Sequence, residues 1–144
     1  MRVLRKVMKG NRGFTLVELL VVIAILGLVM SLVGPQVMKQ FADAKSDTTA
    51  LQIADLGASL DLYYLDVGRY PTTDEGLEAL VTAPPGDSAW SGPYLKKDVV
   101  PRDPWGRAYV YRAPGEHGAY DLLSFGADGA PGGARADADV ASWE

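Results

Sequence analysis

A single apolar run near the N-terminus constrains this chain more than any other feature of its sequence. Residues 14–34 read FTLVELLVVIAILGLVMSLVG, with Glu18 as the only charged residue among them. About 20 such residues in an α-helix cross roughly 30 Å of hydrocarbon, so the run predicts a membrane-spanning helix. A carboxylate at bilayer depth costs about 2.5 to 3.5 kcal/mol. Glu18 is therefore a candidate functional residue, because an interaction elsewhere must offset that cost.

The segment before the run is basic and predicts the orientation of the helix. Its five charged residues are all positive: Arg2, Arg5, Lys6, Lys9 and Arg12. The positive-inside rule places such a segment in the cytoplasm, so we expect the residues after the helix on the outer side of the membrane. The run is longer than the apolar stretch of a secretory signal, and no A-x-A cleavage pattern follows it. We therefore expect the helix to be retained.

Composition excludes several classes of function. Without the first 13 residues the chain has nine basic and 18 acidic side chains, a net charge of −9 that disfavours binding to a phosphate backbone. The absence of cysteine excludes thiol catalysis, thiolate metal sites and disulfides. His117, the only histidine, lies in a turn-forming stretch, so we interpret it as a loop residue and not as a catalytic base. We predict no enzymatic activity.

A second helical pattern follows the apolar run. Apolar residues recur at steps of three and four, the spacing of one helix face: Ile53, Leu56, Leu60, Tyr63 and Val67. Together the two patterns predict one helix from about residue 14 to about residue 66, with Gly68 as its stop signal. The first half of this helix would lie in lipid, and the second half would carry a domain.

The rest of the sequence predicts a small mixed domain. Residues 70–81 offer Thr72 or Thr73 as an N-cap and predict a short helix. Residues 108–112 and 120–125 flank a turn and predict a β-hairpin, and residues 140–143 predict a last strand. We therefore expect an α+β fold in which a long N-terminal helix is packed by a small domain containing a short helix and an antiparallel sheet. The expected segments are a basic leader at 1–13, a transmembrane helix at 14–34, its amphipathic continuation at 35–67 and a globular domain at 68–144.

The residues that begin the apolar run resemble a known processing site. The stretch GFTLVE at residues 13–18 is similar to the site at which a prepilin peptidase cuts type IV prepilins and pseudopilins after the glycine and methylates the new N-terminus. The resemblance implies cleavage after Gly13 and N-methylation of Phe14. In a polymer of parallel helices, the Phe14 ammonium of one subunit can lie beside the Glu18 carboxylate of its neighbour. Assembly would then offset the cost of the charge.

Pro35 interrupts the hydrogen bonding of the predicted helix, at a cost of about 3 kcal/mol. One interpretation is a kink at the membrane surface. The other, suggested by the resemblance to pilins, is that residues 34–35 let the helix bend or melt locally when a subunit leaves the bilayer and enters a filament. Both alternatives stay open at this point.

Three further stretches narrow the resemblance to one family. YPTTDEGL at 70–77, DPWG at 103–106 and residues 121–143 resemble the major (G-type) pseudopilins of type II secretion systems. The resemblance implies a subunit that is anchored in the inner membrane and polymerises into a periplasmic pseudopilus, which drives export of folded proteins across the outer membrane. It also implies minor pseudopilins, an inner-membrane assembly platform and the prepilin peptidase as partners. Within DPWG, we interpret Trp105 as a core residue.

The same resemblance implies a calcium-binding loop at about residues 121–143. Calcium takes 6 to 8 oxygen ligands, and this loop contains carboxylates and glycines that permit ligation by backbone carbonyls. The implied ligands are the side chains of Asp128, Asp139 and Asp137, with the carbonyls of Phe125 and Ala130. The spacing is not that of an EF-hand.

Two other functions remain compatible with parts of the sequence. A major type IV pilin used for adhesion, motility or DNA uptake would share residues 13–18 but does not predict the stretches at 70–77 and 103–106. A membrane-tethered periplasmic enzyme or calcium-binding protein would keep its leader and remain a monomer.

Overall fold

The computed structural model describes residues 13–144, and the basic residues Arg2 to Arg12 lie outside this range. Helix α1 spans Leu16–Val67, close to the predicted bounds, and a 3₁₀ helix spans Leu77–Leu80. Strands β1, β2 and β3 span Val110–Arg112, Asp121–Ser124 and Val140–Ala141, and a second 3₁₀ helix, Arg135–Asp137, precedes β3. The predicted α+β fold is confirmed.

The chain forms two compact units, and the first ends at Met38. Its described part contains the N-terminal portion of α1, which continues through Pro35. The apolar side chains of this portion are exposed, with Leu16 at 87% and Leu32 at 81% of their full accessibility. Helix α1 contains a window long and apolar enough to cross a membrane, as the apolar run predicts.

The second unit, Lys39–Glu144, contains the rest of α1 and the small domain. The predicted apolar face of α1 is its buried face, because Ile53, Leu56, Leu60 and Tyr63 are at most 4% exposed. These side chains form one core with residues of the first 3₁₀ helix and of the sheet, namely Leu77, Ala79, Leu80, Tyr109, Tyr111 and Leu122. Helix α1 ends where predicted, since Gly68 adopts a φ of 82° that favours glycine.

The sheet is antiparallel, with strand order β1-β2-β3. Strands β1 and β2 form the predicted hairpin, in which Val110 pairs with Leu123 and Arg112 with Asp121. Strand β3 returns along β2, where Leu123 pairs with Ala141. The domain is thus closed by β3, a strand near the end of the stretch predicted to bind calcium.

The helix predicted within residues 70–81 is shorter than a regular α-helix. Only the single 3₁₀ turn Leu77–Leu80 forms. It cannot extend backwards, because Gly76 has a φ of 61°, outside the helical range. The turn before Gly76 has a capping box: the Thr72 N–H donates to Glu75 Oε2 at 2.7 Å, and the Glu75 N–H donates to Thr72 Oγ1 at 3.3 Å.

An ionic cluster fixes this segment to the end of α1. The Arg69 guanidinium donates to both carboxylate oxygens of Glu75, at 2.6 and 2.9 Å, and to Asp87 Oδ2 at 2.7 Å. The Tyr63 hydroxyl also donates to Asp87 Oδ2 at 2.7 Å. The hydrogen bonds from Arg69 lower the pKa of Glu75 from about 4.5 to about 2.

We expect acid to weaken this cluster. Because the pKa of Glu75 is depressed in the folded state, its contribution to stability is present above about pH 4.5 and is lost as the pH falls toward 2. The full pKa shift of Glu75 corresponds to about 3 kcal/mol of stability. Because Arg69 is partly solvated, we expect acid to lower the free energy of unfolding by about 1 to 2 kcal/mol. Denaturant unfolding measures the free energy of unfolding at pH 7 and at pH 2.5. We expect this free energy to decrease less in Glu75→Gln than in the unmodified chain. An equal decrease in Glu75→Gln and in the unmodified chain would contradict the role of Glu75. Glu78→Gln, at an exposed neighbouring glutamate, is the matched control.

Candidate functional site

The start of α1 holds the first group of predicted site residues. Thr15 directly precedes α1, and Glu18 lies in the first turn. Glu18 Oε2 accepts the Thr15 N–H at 2.8 Å and the Thr15 hydroxyl at 3.1 Å, while the Glu18 N–H donates to Thr15 Oγ1 at 3.2 Å. This is a capping box, whose T-x-x-E signature is readable in the sequence. The carboxylate therefore has a local partner within a single chain, which offsets part of its cost in lipid.

The predicted processing site lies just before the helix. Gly13 and Phe14 have no regular secondary structure, and the Phe14 side chain is 85% exposed. A peptide bond outside a helix has no helical hydrogen bonds to break before a peptidase can bind it in extended form. The geometry is thus compatible with cleavage between these two residues.

The second group of predicted site residues lies in the C-terminal loop, which we define as residues 125–139 between β2 and β3. Its glycines bring distant parts of the backbone together. A Cβ on Gly126, which has a φ of 64°, would lie 2.6 Å from the Ala138 carbonyl oxygen. Gly133, with a φ of 96°, packs against Asp137 in a similar way. Only glycine allows these approaches, so the two ends of the loop meet.

Two predicted ligands hold the loop by accepting backbone N–H groups. Asp128 Oδ1 accepts the Ala130 N–H at 3.0 Å, and Asp139 Oδ2 accepts the Gly132 N–H at 2.9 Å. The other oxygen of Asp139, Oδ1, is buried and has no hydrogen-bond partner. A buried carboxylate oxygen without a partner is costly, and a bound cation is one way to satisfy it.

The remaining predicted ligands are arranged differently. Asp137 is exposed, and the Phe125 carbonyl accepts the Gly129 N–H at 3.3 Å, which leaves its second lone pair available. Among residues 13–144, no three His, Cys, Asp or Glu side chains lie close enough to form a metal site by themselves. A calcium ion in this loop would therefore take many of its ligands from backbone carbonyls. The ligand set stays a prediction.

The DPWG turn supports the loop through its first residue, Asp103, and not through Trp105. Asp103 is 4% exposed and accepts the Trp105 and Arg107 N–H groups on Oδ1 and the Ser124 hydroxyl, at 2.6 Å, on Oδ2. The prediction that Trp105 is a core residue is wrong. Its ring is partly buried but is not part of the core cluster, and its centroid lies 5.8 Å from Lys45 Nζ, because the residue of this turn that enters the interior is Asp103.

Arg107 is a second residue that the sequence does not reveal, since no local motif marks it. Its guanidinium donates to the carbonyl of Gly126 and, at 2.7 Å, to that of Ala127. The loop residues it contacts lie about 20 positions further along the chain, a separation that a sequence pattern does not report.

His117 is a loop residue, as predicted, but it has two specific partners. Its ring stacks on Trp143 with centroids 3.9 Å apart, and Nδ1 lies 3.1 Å from Asp121 Oδ2. Asp121 also accepts the N–H groups of Glu116 and His117. These contacts tie Trp143 to the turn of the hairpin.

Comparison with known proteins covers both groups of residues. Residues 36–143 match the family described as type II secretion system protein G, and residues 8–34 match the prokaryotic N-terminal methylation motif. The second match spans Gly13, Phe14 and Glu18, and the first spans the C-terminal loop.

Curated relatives are similar over nearly their whole length. Type II secretion system core protein G of Pseudomonas aeruginosa is 48% identical over 140 residues, which cover 94% of this chain and 97% of the relative. The protein of the same name from Vibrio cholerae is 42% identical over 141 residues, which cover 96% of this chain and 95% of the relative. That from Escherichia coli K12 is 46% identical over 137 residues, which cover 92% of this chain and 91% of the relative. The fold is similar to that of the major pseudopilin from the type 2 secretion system of enterohaemorrhagic Escherichia coli, with a TM-score of 0.62 and 34% identity over 74% of this chain and 92% of that one.

Proposed function

The chain belongs to the protein G family of the type II secretion system, and from this premise we propose how it is processed, how it assembles and what its C-terminal loop binds. As a member of that family it is a structural subunit of the pseudopilus. The observation that carries the finer proposal is a long helix whose residues 16–34 expose apolar side chains, one serine (Ser31) and one carboxylate (Glu18), on a chain whose residues 36–143 match the family. Such a surface needs either lipid or identical helices around it.

The proposed path begins in the inner membrane. The precursor spans it once, with the basic leader in the cytoplasm and the domain in the periplasm. A prepilin peptidase removes residues 1–13 and methylates Phe14. The subunit then leaves the bilayer and joins a helical filament in which apolar helices pack against one another, with Pro35 as the point at which α1 adapts.

In the proposed filament, the Glu18 carboxylate lies near the Phe14 ammonium of an adjacent subunit. Opposite charges attract strongly where water is excluded, so the pair favours the filament over the separate membrane-bound subunits. The capping box keeps the carboxylate at the start of α1 until that partner arrives. Minor pseudopilins and an inner-membrane assembly platform are the proposed partners for initiation and growth.

Growth of this filament would push folded proteins through an outer-membrane channel. The chain itself supplies surfaces and no chemistry, so we propose that it is not an enzyme. Energy for extraction from the membrane would come from other components of the secretion machine.

We further propose that calcium is the ligand of the C-terminal loop. The support is the buried, unpartnered Asp139 Oδ1, in a loop rich in backbone carbonyls. Asp128, Asp139 and Asp137 would provide carboxylate oxygens, and Phe125 and Ala130 would provide carbonyl oxygens. Calcium would neutralise the negative charge of these oxygens and would hold the loop against the sheet.

Processing gives a direct test of the proposed path. We expect the chain recovered from membranes to begin at Phe14 and to be one methyl group heavier than the cleaved sequence, as measured by mass spectrometry. Gly13→Val should retain the leader, because a branched side chain next to the scissile bond blocks entry to the peptidase, and should not restore export in a strain that lacks its own copy of the gene. Gly10→Val, in the leader but away from the bond, is the matched control. A full-length chain that still supports export would refute the proposal.

A further inference from the structure

Arg107 reaches from the DPWG turn into the C-terminal loop and holds two consecutive carbonyls. One guanidinium nitrogen, Nη1, donates to the Gly126 carbonyl, and Nη2 donates to the Ala127 carbonyl at 2.7 Å. A guanidinium is planar and rigid, so two such bonds fix both the position and the orientation of the peptide it contacts. The backbone of Gly129 packs on the same group, since a Cβ there would lie 2.8 Å from Arg107 Cζ.

The base of Arg107 is itself fixed. Its N–H donates to Asp103 Oδ1 at 2.8 Å, and its carbonyl accepts the Asp103 N–H at 2.9 Å. Asp103 is buried and bonded to Ser124 at the end of β2. The guanidinium therefore extends from a rigid part of the domain, which lowers the entropy lost when it binds the loop.

The restraint on Gly126 extends to the far end of the loop. The Gly126 backbone packs closely against the Ala138 carbonyl, which leaves no room for a side chain at position 126. Residues 135–137 form the 3₁₀ helix directly before this contact. Holding Gly126 in place thus also restrains the segment that contains Arg135.

We propose that Arg107 is a resident cation that keeps the C-terminal loop closed in the absence of calcium. In its relation to calcium this inference rests on the function proposed above. Carbonyl oxygens that lie close together in one loop repel one another unless a positive group lies among them. The guanidinium supplies that charge for the carbonyls of 126 and 127, so calcium would stabilise a loop that is already formed.

Limited trypsin digestion of the full mature chain in detergent tests this inference. Arg135 is the only basic residue of the loop, so cleavage there, identified by mass spectrometry, reports loop opening. In EDTA we expect Arg107→Ala to be cut at Arg135 about tenfold faster than the unmodified chain or more, because two charge-assisted hydrogen bonds are lost. Arg112→Ala removes another arginine, one paired with exposed Glu116, and should not change the rate. Circular dichroism checks that each variant keeps its helix and sheet.

The outcomes separate this inference from the calcium proposal. Equal rates for Arg107→Ala and the unmodified chain in EDTA would overturn the role of Arg107, and so would rapid cleavage of the unmodified chain. Arg107→Lys keeps the charge but lacks the planar guanidinium, so we expect its cleavage rate to lie between those of Arg107→Ala and the unmodified chain. Full protection by lysine would count against the paired hydrogen bonds. We expect calcium to slow cleavage of Arg107→Ala. If calcium does not slow this cleavage, the proposal that the C-terminal loop binds calcium is wrong. The rates in EDTA still decide the role of Arg107.

Discussion

Replacing Glu18 by alanine is expected to leave the chain inserted in the membrane and to abolish the filament. Insertion depends on the apolar run, which becomes more favourable to lipid when a carboxylate costing about 2.5 to 3.5 kcal/mol is removed. Assembly depends on the carboxylate, because it is the proposed partner of the neighbouring Phe14 ammonium. If the pair offsets a cost of that size, its loss corresponds to about a hundredfold in an association constant. We expect the number of filaments counted by electron microscopy and the export of a secreted protein both to fall about a hundredfold.

The capping box makes a sharper experiment possible. Glu18→Gln keeps an oxygen that can accept the Thr15 N–H but removes the charge, so it should fail to assemble as alanine does. Thr15→Val removes the hydroxyl that bonds Glu18 but keeps the carboxylate, so it should assemble nearly as well as the unmodified chain. If Thr15→Val failed and Glu18→Gln assembled, the role of Glu18 would be to cap its own helix, and the pairing between subunits would be disproved.

The second large effect is expected from calcium. A ligand that binds only the folded state at a hundred times its dissociation constant stabilises by about 2.7 kcal/mol. For a domain of this size, each kcal/mol raises the melting temperature by about 4 to 8 °C, so saturating calcium should raise it by about 10 to 20 °C relative to EDTA. Thermal unfolding of the mature chain in detergent, followed by circular dichroism of the domain, measures the shift.

Asp139→Asn identifies the site responsible for that shift. Asparagine can still accept the Gly132 N–H, so stability in EDTA should be almost unchanged, whereas the calcium-induced shift should largely disappear. Asp98→Ala, at an exposed aspartate outside the C-terminal loop, should keep the full shift. A shift of the same size in Asp139→Asn would exclude Asp139 as a ligand, and no shift in the unmodified chain would exclude calcium as a stabilising ligand.

Features that depend on local periodicity were predictable from the sequence. The buried face of α1 follows from the spacing of Ile53, Leu56 and Leu60, and the hairpin follows from two apolar stretches around a turn. The capping box of Thr15 and Glu18 was equally local, and its T-x-x-E pattern could have been read. Each of these features is specified by residues within a few positions of one another.

Features that depend on contacts between distant residues were not predictable. The DPWG turn draws attention to Trp105, yet Asp103 is buried because two backbone N–H groups and Ser124 satisfy its carboxylate. The contact of Arg107 with the C-terminal loop has no local signal at all. The predicted helix within residues 70–81 is shortened for a local reason instead, because Gly76 has a φ of 61°.

The small size of the sheet has a consequence for a protein that functions as crowded identical copies. Its outer strands are only three and two residues long, β1 at Val110–Arg112 and β3 at Val140–Ala141. Edge strands this short offer few unpaired N–H and C=O groups to another sheet, and they limit cross-β aggregation. Copies brought side by side by their helices are thereby protected from irreversible joining through their domains.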